Sequence, residues 1–94
     1  MRTIERSTEF KRDHKRTKKS PRHRKELDSL LAVLLELLVI DQALPEYSRD
    51  HALSGDWSGY RECHLKSDLL LIYRQPDVDT LRLARLGSHS ELFG

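Results

Sequence analysis

The chain has 94 residues, a formal net charge of +2 and a single cysteine, Cys63. That length supports one small core, expected here as a single domain over residues 1–94, and one cysteine excludes an internal disulfide. With 37% hydrophobic and 34% charged residues the composition is that of a folded soluble protein. The charge is distributed unevenly. Residues 1–25 hold eleven Lys/Arg against three carboxylates, a local +8, and the rest of the chain carries −6. A segment this basic repels itself unless a polyanion neutralises it, and nucleic acid is the leading candidate. The first residues carry charge from Arg2 onward and no apolar run, which speaks against a secretory signal. The apolar stretch Leu30–Ile40 is broken by Glu36 and is too short for a bilayer. No membrane association and a cytoplasmic location are therefore expected.

In chain order, Arg2–Arg6 with Thr3 and Ile4 reads as a short first strand. Ser7 is placed to cap a helix over residues 8–19 whose only large hydrophobe is Phe10. Ser20-Pro21 marks the break, and a second helix is predicted over 21–40 with Ser20 as cap and Pro21 in its first turn. Leu27, Leu30, Leu31, Leu34, Leu35 and Leu38 give it the i, i+3, i+4, i+7 spacing of a buried face. Residues 45–59, rich in Ser, Gly and Asp, read as a loop. Three strands follow, at Tyr60–Leu65, Leu69–Tyr73 and Thr80–Leu86, joined by connections short enough for an antiparallel meander. The tail Gly87–Gly94 is a turn with room for a final helical turn. The predicted fold class is α+β, two N-terminal helices packed on a small antiparallel sheet in the order β-α-α-β-β-β.

His51, His64 and His89 lie outside the basic segment, accompanied by Glu62, Asp68 and Arg85. Alternation along the strand from residue 60 puts Tyr60, Glu62 and His64 on one face and Arg61, Cys63 and Leu65 on the other. Histidine exchanges protons near neutral pH. RNA cleavage through the 2′-OH needs a base, an acid and a cation at the phosphate. This chain offers His or Asp as base, His as acid and Arg or Lys as clamp, with no metal or other cofactor required, and Phe93 as an aromatic surface for a base. A metal site built from His51, Cys63, His64, Asp68 and His89 fits poorly: Cys63 and His64 face opposite ways, and no C-x-x-C or H-x-x-x-H spacing is present. Trp57, Tyr60, Tyr73 and Cys63 are expected to serve packing rather than chemistry.

The run Asp50-His51-x-Leu53-x-Gly55-x-Trp57-x-Gly59-Tyr60-Arg61-x-x-His64 is followed by Asp68-Leu69-Leu70-Leu71-Ile72-Tyr73 and by Arg85-x-Gly87-x-His89-x-x-Leu92-Phe93-Gly94. Together they closely resemble the YafQ branch of the RelE/ParE toxin superfamily, and ordered spacing over some forty-five residues is far more specific than any single motif. The resemblance implies the toxin of a bacterial type II toxin–antitoxin pair, an endoribonuclease that cuts mRNA on the ribosome and is silenced by a cognate antitoxin. The matching positions imply a catalytic set of His51, His64, Asp68 and His89. His89 would be the general acid, and Asp68, His51 or His64 the base. Arg85 would contact phosphate, Phe93 would place the RNA base, and the basic helices, with Lys15, Lys18 and Lys19, would meet ribosomal RNA. Glu62 stands where these toxins commonly have aspartate, so the charge is kept and its reach lengthened. Two non-enzymatic readings compete: a plain nucleic-acid-binding module, and a ParE-like gyrase poison, whose members lack the histidine cluster.

Overall fold

The computed structural model describes residues 1–94. A five-stranded sheet is built from β1 (Thr3–Arg6), β2 (His51–Ala52), β3 (Arg61–Lys66), β4 (Leu69–Asp77) and β5 (Thr80–Gly87) in the spatial order β1-β5-β4-β3-β2. β2 to β5 pair antiparallel, but β1 runs parallel to β5, with Ile4 opposite Leu81. The sheet is therefore mixed rather than purely antiparallel. A parallel neighbour needs a long crossover, and here β1 and β5 are separated by the rest of the chain.

Helix α1 (Thr8–Lys18) begins at the expected cap: the Ser7 hydroxyl accepts from Phe10 N at 2.9 Å. Its buried stripe is Phe10, Asp13 and Thr17, so a carboxylate occupies a core-facing position. Helix α2 (Leu27–Val39) starts six residues later than the sequence suggests, because residues 21–26 form turns. The reason is local: Pro21 to Glu26 hold no apolar side chain and three cations, Arg22, Arg24 and Lys25, so no packing rewards a helix there. From Leu27 onward, Leu27, Leu31, Leu34, Leu35 and Leu38 are buried. The expected loop between α2 and β3 is more ordered than its composition implies. It holds two 3-10 turns, Glu46–Ser48 and Gly55–Trp57, and the short edge strand β2.

Both faces of β4 are covered, which explains its unbroken apolar run. Leu69, Leu71 and Tyr73 join the main core under α1 and α2, whereas Leu70 and Ile72 pack on the other face with Leu92, Leu53, Trp57 and Tyr60. That second face is closed by helix α3 (His89–Phe93). The pairing of β4 with β5 slips between Ile72↔Arg85 and Tyr73↔Leu83, leaving Ala84 as an extra residue. Such a bulge breaks the period-2 alternation, so Leu83 and Leu86 both reach the main core. The Ala84 carbonyl accepts from the Ser7 hydroxyl at 2.8 Å. No helix is long and apolar enough to cross a membrane.

Cys63 is fully buried in the main core, and burial pushes its thiol well above the ordinary cysteine range. A buried thiol in apolar surroundings is inert. Alkylation by iodoacetamide is expected only in denaturant, which mass spectrometry of the intact protein would read. Labelling of the native protein within minutes would show that this face of β3 opens.

Candidate active site

Residues directly opposite on neighbouring strands present their side chains to the same face. β2 sets His51 opposite Glu62, and β3 sets Glu62 opposite Ile72 and His64 opposite Leu70. His51, Glu62 and His64 thus emerge together on the face away from α1 and α2, while Cys63 and Leu65 go to the core as their alternation requires.

Glu62 is the centre of this group. Its residue is 5% exposed, and its only side-chain partners are two imidazoles: His64 Nε2 lies 3.3 Å from Oε1, and His51 Nε2 lies 3.8 Å from Oε2. A buried carboxylate must be compensated by donors or charge, and these two imidazoles are the groups placed to supply it. His51 itself is half-exposed, and its Nδ1 lies 2.6 Å from the carbonyl oxygen of Arg49. A carbonyl only accepts, so Nδ1 carries the proton and Nε2 is left free to take one. Arg49 adopts a left-handed backbone with φ of 48°, which turns that carbonyl under the ring. The loop is anchored next door, where Asp50 Oδ1 accepts from the Tyr73 hydroxyl at 2.6 Å and from Arg61 Nε at 3.2 Å.

His89 and Phe93 stand one helical turn apart on α3, their rings 4.9 Å apart. Phe93 also meets Trp57 edge-on at 6.4 Å, and Trp57 in turn meets Tyr60 at 5.3 Å. Trp57 and Tyr60 do anchor the loop, as expected. Asp68, in the β3–β4 turn, lies 3.5 Å from the His89 amide through Oδ1 and 3.8 Å from Arg22 through Oδ2. It borders a wholly polar cleft of 290 Å³ that includes Arg16, Arg22, His23 and Ser90. His23 Nδ1 is buried there without a partner. Burial, together with the charges of Lys66 and Arg22, holds that imidazole below its usual range.

The remaining expected contacts lie elsewhere. Arg85 points to α1, where Nε and Nη2 donate to Asp13 at 2.6 and 3.2 Å. Lys15 and Lys18 on α1 and Lys19 at its C-cap are exposed, across the sheet from the histidines, and Lys18 pairs with Asp28 of α2. Sequence reading missed Asp13, Arg16 and Glu91. Asp13 also accepts from Arg16 Nη1 at 3.0 Å and from the Leu86 amide at 3.0 Å. Burial alone would raise its carboxyl, but the hydrogen bonds from Arg85 and Leu86 and the charges of Arg85 and Arg16 outweigh it and hold it below the usual range. The one available signal was a lone carboxylate three residues after Phe10 on the buried stripe of α1.

This α+β scaffold, with histidines and carboxylates on the sheet face that carries a short C-terminal helix, is shared with bacterial toxins of known structure. The crystal structure of the E. coli DinJ-YafQ complex matches with a TM-score of 0.84 and 38% identity over 100% of both chains. The mRNA interferase toxin YafQ of E. coli K12 is 37% identical over 94 residues, covering 100% of this chain and 98% of that protein. A 51-residue stretch is 51% identical to the putative toxin YafQ of Haemophilus influenzae, spanning 51% of this chain and 50% of that protein. The family model for YafQ, the bacterial toxin of a type II toxin–antitoxin system, matches residues 2–94. The chain belongs to the YafQ toxin family.

Proposed function

We propose that residues 1–94 act as a single toxin domain in the cytoplasm, an endoribonuclease that cuts mRNA engaged by the ribosome and is silenced by a cognate antitoxin. The observation that carries this reading is the buried Glu62 between His51 and His64, on the same sheet face as α3 with His89. Similarity to an E. coli mRNA interferase, and to a toxin crystallised with DinJ, supports the same reading.

In the proposed reaction the 2′-OH of the scissile nucleotide gives its proton to His51 Nε2 and attacks phosphorus. A 2′,3′-cyclic phosphate forms, the P–O5′ bond breaks, and His89 protonates the departing 5′ oxygen. The Glu62 carboxylate stabilises the imidazolium formed on His51, and His64 shares that carboxylate. Asp68, already engaged by Arg22 and the His89 amide, is assigned to orienting His89. Phe93 offers a half-exposed ring for the RNA base. Arg85 is bound to Asp13, so a phosphate would reach it only at the rim of that pair. No cofactor enters the scheme.

The test adds the protein to an mRNA with and without translating ribosomes and maps new 5′ ends. Cuts within the reading frame that require ribosomes are expected. Intact mRNA under both conditions, with DNA gyrase trapped on DNA instead, would replace this reading with the ParE-like one. Lys15, Lys18 and Lys19 are assigned to ribosomal RNA. Reversing all three charges is expected to weaken ribosome association most at low salt, because each phosphate contact releases counterions. Unchanged sedimentation with ribosomes at low and high salt would move the contact elsewhere.

A further inference from the structure

Asp13, Arg16 and Glu91 join three elements: α1, the end of β5 and the short helix α3. The Arg16 guanidinium reaches in three directions. Nη1 meets the buried Asp13 carboxylate at 3.0 Å, Nη2 donates to the Leu86 carbonyl at 3.4 Å, and Nε meets Glu91 Oε2 at 3.2 Å. The other Glu91 oxygen accepts from the Ser88 amide at 2.8 Å, closing a capping box with the Ser88 hydroxyl. Gly87 lies beneath this junction. A Cβ there would come within 3.0 Å of Glu91 Oε1 and 3.2 Å of Arg16 Nη2, so the absence of a side chain allows the two to meet.

We propose that Arg16, held by Asp13 and bonded to Glu91, is a positioning residue that fixes α3 on the sheet and thereby sets the place of His89. The inference rests on the reading of His89 as the proton donor. Five residues are too few to hold a helix in place by themselves. The capping box sets the conformation of α3 but is internal to it. Buried Leu92 seats one side of α3, and Arg16 ties down the other. A planar fork that serves three acceptors at once is something lysine cannot reproduce. A shift of about 1 Å in a catalytic group costs on the order of 10²-fold in rate, so loosening this tie acts on turnover rather than on RNA binding.

Two variants separate placement from folding. Arg16→Lys keeps the charge and loses the fork. Glu91→Gln keeps an oxygen for the Ser88 amide and turns its amide group toward Arg16, so the cap survives while the tie is lost. Both are expected to lower the maximal cleavage rate on programmed ribosomes by roughly tenfold, a partial form of the misplacement cost. The ribosome concentration giving half that rate is expected to stay within about twofold. The double variant is expected to be no slower than the slower single, because both remove one interaction. The His89 ring resonances, which feel the Phe93 ring, are expected to shift in both. His89→Ala in the same assay supplies the reference. If it loses cleavage while Arg16→Lys and Glu91→Gln keep the native maximal rate, the positioning role is overturned and the acid assignment stands. If Arg16→Lys raises the half-saturating concentration at an unchanged maximal rate, Arg16 contacts RNA directly and the proposal fails. If His89→Ala cleaves normally, the acid assignment falls and this inference falls with it.

Discussion

Replacing His89 by alanine is expected to slow mRNA cleavage on ribosomes by about 10²-fold or more, the usual contribution of a positioned general acid. The 5′ oxygen is a poor leaving group unless protonated, and His89 is the imidazole that α3 presents beside Phe93, apart from the Glu62 pair. Ribosome binding should be unaffected, since the loss concerns a proton transfer that exists only as the bond breaks. Single-turnover cleavage of a programmed ribosome, with the native chain and the variant at equal occupancy, gives the rate directly. A variant within threefold of the native rate would transfer the acid role to another group.

Asp13→Ala is expected to cost about 1–3 kcal/mol of stability, the range found when a buried hydrogen-bonding group loses its partner. Asp13 is 2% exposed and satisfies Arg85 twice, Arg16 once and the Leu86 amide. Its removal leaves the buried Leu86 amide without an acceptor and takes the counter-charge from Arg85 and Arg16, whose side chains still reach solvent. For a chain of this size, with about 5–15 kcal/mol in total, that is a large share. The pH dependence follows in sign. The folded-state carboxyl of Asp13 is lower than normal, so the native state binds fewer protons than the unfolded chain. Its contribution is fully present above about pH 4, the unfolded carboxylate value, and is lost as pH falls through the folded value. Urea unfolding of both proteins at pH 7 and near pH 3 checks this. The gap between native and variant should narrow at the lower pH; an equal gap at both would mean that packing, not charge, carries the effect.

Much of the fold was legible because its signals are local and periodic. The leucines of α2, the unbroken run of β4 and the alternation of β3 each follow from neighbours within a few residues. The histidine face was legible for the same reason, since His64 and Glu62 share a side of β3 by period alone. What escaped was long-range. Asp13 and Arg85 lie 72 positions apart in the sequence, and nothing near either residue announces the other. The parallel pairing of β1 with β5 joins the two ends of the chain, which no short-range pattern encodes. Arg85, by its place in the sequence motif, was expected at a phosphate. The bulge at Ala84 and the carboxylate waiting on α1 give it a structural partner instead. The late start of α2 has the opposite lesson. A good cap and a proline at Ser20-Pro21 do not make a helix where the next five side chains have nothing to bury.

In the proposed reaction the RNA's own 2′-OH attacks, and side chains of this face move its protons. The most direct measurement places a single 2′-deoxy nucleotide at a mapped cleavage site in an otherwise unmodified mRNA on the ribosome. Cleavage at that position is expected to vanish while other sites are still cut, and the unmodified transcript should yield a 2′,3′-cyclic phosphate and a 5′-hydroxyl. Undiminished cutting at the deoxy position would contradict the account, since water or another nucleophile would then be doing the attack.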